Sequence, residues 1–170
     1  MPGISEGQLR FDFPLGWQVS KYDDWSFYRN QFQGVCGRAK AVDILAIEPR
    51  VCLWSIEVKD YRQHRRTKAI DLADEVAEKV RDSLSGLVAA HANANDANEK
   101  AIACTALDCP RLRVVLHLEQ PARHSKLFPR AIDPAKVQQR LKQIVNAIDP
   151  HPLVLELSRV RGVPWTAQTA

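Results

Sequence analysis

The chain has 170 residues, 45% of them hydrophobic and 26% charged, with a net charge of +4. That size and balance suit one domain, residues 1–170, with its own core, and they exclude collagen-like, coiled-coil and largely disordered chains. No apolar run approaches the roughly 20 residues that cross a bilayer. The opening MPGISEGQLRFDFPLGW lacks a basic segment followed by an apolar one, so no signal peptide is expected and a cytoplasmic location is. Cys36, Cys52, Cys104 and Cys109 form no Cys-x-x-Cys pair, which argues against a zinc site or a disulfide framework. Cys52, in an apolar run, reads as a buried small hydrophobe.

In chain order, Leu9 to Lys21 is broken by Pro14 and Gly16 and reads as a hairpin or an irregular lead-in. Asp23 to Gln33 places Trp25, Tyr28 and Phe32 at spacings of three and four, which predicts a short helix. Gly34 and Gly37 mark a loop. Ala41 to Ile47 and Val51 to Lys59 read as strands, and the short link between them requires an antiparallel hairpin. Leu72, Val76, Val80, Leu84 and Leu87 form an apolar stripe, predicting an amphipathic helix from Asp71 to Ala90. His91 to Lys100 reads as a surface loop or frayed helix end. Arg111 to Glu119 is a third strand. Asp133 caps a helix with Pro134 in its first turn and Val137, Leu141, Ile144 and Ile148 along its stripe. Pro152 to Leu157 is a late strand. This order gives an α/β layer architecture around a mixed sheet.

Charge is concentrated. Lys59, Arg62, Arg65, Arg66 and Lys68 lie within ten residues against one anion, Asp60. Such a run suits a polyanion partner, because neutralised phosphates release condensed counterions. A solvated helix entry accounts for it equally well. His91, His117, His124 and His151 show no ligand spacing. There is no glycine-rich phosphate loop, so nucleotide-driven chemistry is not suggested.

The hairpin carries the chemistry. With its turn near residue 50, facing residues sum to about 100, and Asp43 lies across from Glu57, with Cβ atoms about 5 Å apart. Glu57 and Lys59 share a strand face, while Val42, Ile44, Trp54, Ile56 and Val58 form the greasy one. Two crowded carboxylates invite a hard divalent cation, Mg²⁺ or Mn²⁺, and the Val58 carbonyl is a further oxygen ligand. Lys59 would orient a metal-bound water or stabilise transition-state charge. The simpler account is an Asp43–Lys59 cross-strand ion pair, worth under about 1 kcal/mol.

Asp43, then Glu57-Val58-Lys59 on the next strand, then a helix, resembles the PD-(D/E)xK nuclease superfamily. Asp43 matches the first acid of that pattern, Glu57 the second and Lys59 its lysine; Val42 stands where the family has proline. The resemblance covers residues 20 to 118. It implies a restriction-endonuclease-like mixed sheet flanked by helices and metal-dependent hydrolysis of DNA. Asp43, Glu57 and Val58 would hold the metal, with Asp43, Glu57 and Lys59 catalytic and Arg62, Arg65, Arg66 and Lys68 on the backbone. Many members carry another acid on the preceding helix, which Asp23 or Asp24 would supply; helix capping explains both residues as well. The alternative on the same fold is a non-catalytic module that binds nucleic acid or protein. The chain is small for this fold, so a homodimer or larger complex is expected.

Overall fold

The computed structural model describes residues 1–123 and 130–170. His124 lies outside the described residues. Strands β1 (Gly3–Glu6), β2 (Leu9–Asp12) and β8 (Thr166–Thr169) form a small antiparallel sheet in the order β1-β2-β8. A second sheet is ordered β3-β4-β5-β6-β7, from Gln18–Lys21, Ile44–Glu48, Cys52–Asp60, Leu112–Glu119 and Leu153–Leu155. Its first three strands are antiparallel, and β5-β6-β7 are parallel. Helices α1 (Leu72–Asn93), α2 (Ala97–Leu107) and α3 (Pro134–Ile144) complete the expected α/β class with a mixed sheet.

The layers follow from strand alternation. Leu45, Ile47 and Leu53 point into one core, where they meet Val76, Val80 and Leu87 of α1 and Leu141 of α3. Ile44, Ala46, Trp54 and Ile56 point into another, against Leu9, Phe11, Phe13 and Trp165 of the small-sheet layer. Strands covered on both faces are apolar on both. Glu57 alternates with Ile56 and so points at the helix layer. Val42 departs from expectation. It precedes β4 and the bend at Asp43, its N–H donates to Ser83 Oγ of α1 at 3.0 Å, and its side chain joins the helix-side core.

The hairpin has the expected register: Ile44 faces Ile56 and Glu48 faces Cys52. Its three-residue loop closes with Val51 N–H on the Glu48 carbonyl at 3.0 Å and Arg50 in the left-handed region at φ 60°, the usual geometry for loops of this length. Cys52 is buried, 1% exposed.

Asp23 to Gln33 is not a regular helix. It is a 3₁₀ turn at Tyr22–Asp24 and a π-helical turn at Tyr28–Phe32. Neither Asp23 nor Asp24 caps it. Glu99 of α2 does so from a distance, accepting from Ser26 N–H at 2.6 Å, Ser26 Oγ at 3.2 Å and Phe27 N–H at 2.9 Å. Tyr22 is packed so closely on α1 that a Cβ at Gly86 would stand 1.9 Å from its hydroxyl, so only glycine fits there. The 91–100 stretch is largely helical: α1 runs to Asn93, and Asp96 opens α2 by accepting from Asn98 and Glu99 N–H. No described helix is long and apolar enough to cross a membrane.

Candidate functional site: a compensated carboxylate pair beneath a cationic groove

Asp43 and Glu57 do face one another at the end of the β4–β5 pair, and the structure adds a partner from α1. Lys79 Nζ lies 2.5 Å from Glu57 Oε1 and 3.5 Å from Asp43 Oδ1. Lys59 Nζ is 2.6 Å from the same Glu57 oxygen. Val58 contributes its amide, which donates to Asp43 Oδ2 at 2.7 Å. Lys59 turns to Glu57 and, at 3.7 Å, to Glu75 of α1, so the direct Asp43–Lys59 ion pair gives way to a network spanning β5 and α1.

Glu57 is fully buried, and desolvation, followed by the charge of Asp43, pushes its pKa up to about 7 against the pull of Lys79 and Lys59. Burial disfavours charge on Lys59, but Glu57 outweighs it and the pKa is raised. Glu75 is also buried, yet hydrogen bonds from Lys68 and Arg66 bring its pKa down to about 2. As arranged, the pair is built around ammonium groups: two lysines already balance two carboxylates, and one Asp43 oxygen is held by an amide. Among the described residues no group of three or more His, Cys, Asp or Glu side chains is placed to share an ion. The set does not fit a resident Mg²⁺ or Mn²⁺.

The basic run is partly taken up by carboxylates of the fold. Arg62 pairs with Asp60 at 2.6 Å, Arg66 with Glu75 at 2.7 Å and Lys68 with Glu75 at 2.5 Å. Arg66 also donates to Tyr61 Oη at 3.0 Å and to the Ile70 carbonyl at 2.6 Å. Arg65 and Lys68 are exposed. The sequence pattern treats Glu75 as part of a solvated acidic helix start; the structure makes it the hub of this network, 1% exposed. Asp24 pairs with Arg29 and Lys21.

Asp23, in contrast, opens onto a groove of about 580 Å³ between the 22–41 segment and α1. Arg29, Arg38, Lys40, Lys68 and Lys79 line it, five cations against the carboxylates of Asp23 and Asp43. Lys40 leans on Glu78 at 2.5 Å, and its amide donates to Asp82. Arg38 is exposed and has no carboxylate partner among the described residues. Arg29 is paired with Asp24, Lys40 with Glu78, Lys68 with Glu75 and Lys79 with Glu57 and Asp43, so of these cations Arg38 is the one that faces solvent without a carboxylate partner among the described residues.

Fold and site thus define a three-layer α/β protein with a cation-lined groove above an internally neutralised carboxylate pair. A cysteine–tRNA ligase from Neisseria meningitidis (serogroup A, serotype 4A) is 32% identical over 212 aligned residues, which cover 99% of this chain and 30% of the ligase. The chain therefore spans less than a third of that relative's length. No family model and no solved structure matches it. This similarity corrects the expectation of a metal-dependent nuclease hydrolysing DNA: the relative is a ligase, neither a nuclease nor another hydrolase.

Proposed function

We propose that the chain is a non-catalytic RNA-binding module. The observation that carries this is the groove, where exposed Arg38 has no acidic partner among the described residues and Arg29, Lys40 and Lys68 hold partly exposed ion pairs that can exchange a carboxylate for a phosphate. Two further points support it. The relative's name joins cysteine to a tRNA, and the carboxylate pair is bound up with two lysines rather than held open for chemistry. The PD-(D/E)xK-like strand arrangement is then a scaffold that carries the groove. RNA replaces DNA as the proposed partner.

The test is fluorescence anisotropy with a labelled tRNA transcript across a salt series. Wild-type affinity should fall linearly on a log–log plot as salt rises, because phosphate contacts release counterions. Arg38→Ala with Lys40→Ala should weaken binding about tenfold or more and flatten that slope by roughly two charges. Absence of binding at low salt, or equal binding by the double variant, overturns the proposal.

A further inference from the structure

A second cleft, of about 320 Å³, adjoins the groove and shares Arg38 and Ala39 with it. That volume lies in the size range of small-ligand sites. One side is made by Val35, 42% exposed, and the exposed Cys36, which present apolar surface to solvent. The other side is one face of α1, where Glu78 and Arg81 stand three residues apart. Glu78 supplies an accessible acceptor. Its side chain is 31% exposed and its Oε2 holds Lys40 Nζ at 2.5 Å. Its Oε1 has no partner among the described residues and is open to solvent. Arg81, with a side chain 68% exposed, is held on Asp82 Oδ1 by Nε at 3.0 Å and Nη2 at 2.9 Å, which fixes its flat guanidinium in the cleft's wall. Unpaired bases stack on such planes in RNA recognition.

The two cavities are coupled. Lys40 lines the groove and Glu78 lines the cleft, so their ion pair joins one to the other. A phosphate that takes Lys40 releases Glu78 Oε2 and leaves a whole carboxylate for the cleft. The ligand that suits both is an anion attached to a flat, partly apolar body with N–H donors. Resting on the RNA-binding function proposed above, we infer that the cleft takes an unpaired base carrying an exocyclic amine, which donates to Glu78 while Arg38 and Lys40 hold a phosphate of the same strand. The base lies against Val35 and the Arg81 guanidinium. Uracil lacks the amine and binds more weakly. A base in a duplex has its pairing edge engaged and does not enter.

The experiment measures anisotropy of three labelled strands: an oligouridine, the same strand with one central adenosine, and the same strand with a central purine riboside, which lacks only the amine. Wild type should bind the adenosine strand about tenfold more tightly than the purine riboside strand, the discrimination that a hydrogen bond to a charged group supports. Glu78→Ala should bring that ratio close to one, even though release of Lys40 strengthens binding of all three. Alkylation of Cys36 by iodoacetamide, located by peptide mass, should slow several-fold when the adenosine strand saturates the protein. A ratio near one in wild type, an unchanged ratio in Glu78→Ala, or an unchanged alkylation rate at saturation overturns the assignment while leaving RNA binding intact. Failure of the underlying function looks different, because none of the three strands then binds saturably at low salt. Adenosine monophosphate is added as competitor; displacement at concentrations matching the strand would make a free nucleotide the occupant and overturn the strand assignment.

Discussion

Glu75 and Lys40 meet cations and anions of the same kinds, yet in opposite settings. Glu75 is 1% exposed and is surrounded by Lys59, Arg66 and Lys68. Lys40, with a side chain 38% exposed, pairs with Glu78 at the groove's edge beside the exposed Arg38. Beneath α1, desolvation makes every charge depend on its partner, so the network belongs to the fold. At the groove, water screens each pair and the cations remain able to exchange a carboxylate for a phosphate. Burial, rather than residue type, separates the charges held by the fold from those left open to solvent in this molecule.

Breaking the buried side of this contrast should have the largest effect. Glu75→Ala strands the largely buried Arg66, while Lys59 keeps Glu57 and Lys68 turns to water, and should cost about 3 kcal/mol in urea denaturation. A loss under about 1 kcal/mol would place the network with ordinary surface pairs. Glu57 tests the same region through pH. Its pKa in the fold, about 7, lies above the ordinary 4.5, so its contribution to stability is complete below about 4.5 and is lost as pH rises through about 7. Glu57→Gln should remove that decline, which shows as a flatter stability profile than wild type across the interval.

Lys79→Met should convert the Asp43–Glu57 pair from an ammonium site into one that accepts a divalent ion. Mn²⁺ is then expected to raise the thermal midpoint of the variant by a few degrees and to leave wild type unmoved. The smallest stability effect belongs to the groove. Arg38→Ala with Lys40→Ala should change unfolding free energy by no more than about 1 kcal/mol while weakening RNA binding, and a large destabilisation would erase the distinction between the two regions.

Much of this geometry is legible along the chain because it is local. A three-residue link and strict alternation determine the hairpin register, so Asp43 and Glu57 can be paired from the sequence alone. Strands β4 to β7 and helices α1 and α3 show their apolar periods plainly. What escapes such reading is which distant side chain arrives. Lys79 and Glu75 flank Val76 and Val80 on the stripe of α1, a position that puts charge at the margin of a core, but only tertiary packing decides that they land over β5. The capping of Ser26 and Phe27 by Glu99 is equally non-local. Helix α2 is Ala-rich with a weak stripe, though Asp96 followed three residues later by Glu99 is a start signal of the capping-box kind. Strand β8, Thr-Ala-Gln-Thr, carries no apolar alternation and owes its pairing to β2. The basic run is divided by packing that its own composition does not show: Arg66 turns in to Glu75 and Arg62 to Asp60, while exposed Lys68 also borders the groove.

The central claim is that the groove holds RNA without processing it, and one titration addresses it. Labelled tRNA transcript is titrated with wild-type protein in EDTA and again with Mn²⁺ present, and the RNA is then recovered on a denaturing gel. Equal affinity in both conditions, weakening with salt, and full-length RNA at the end are the predicted result. No saturable binding at low salt, or binding that appears only with the divalent ion, would contradict it.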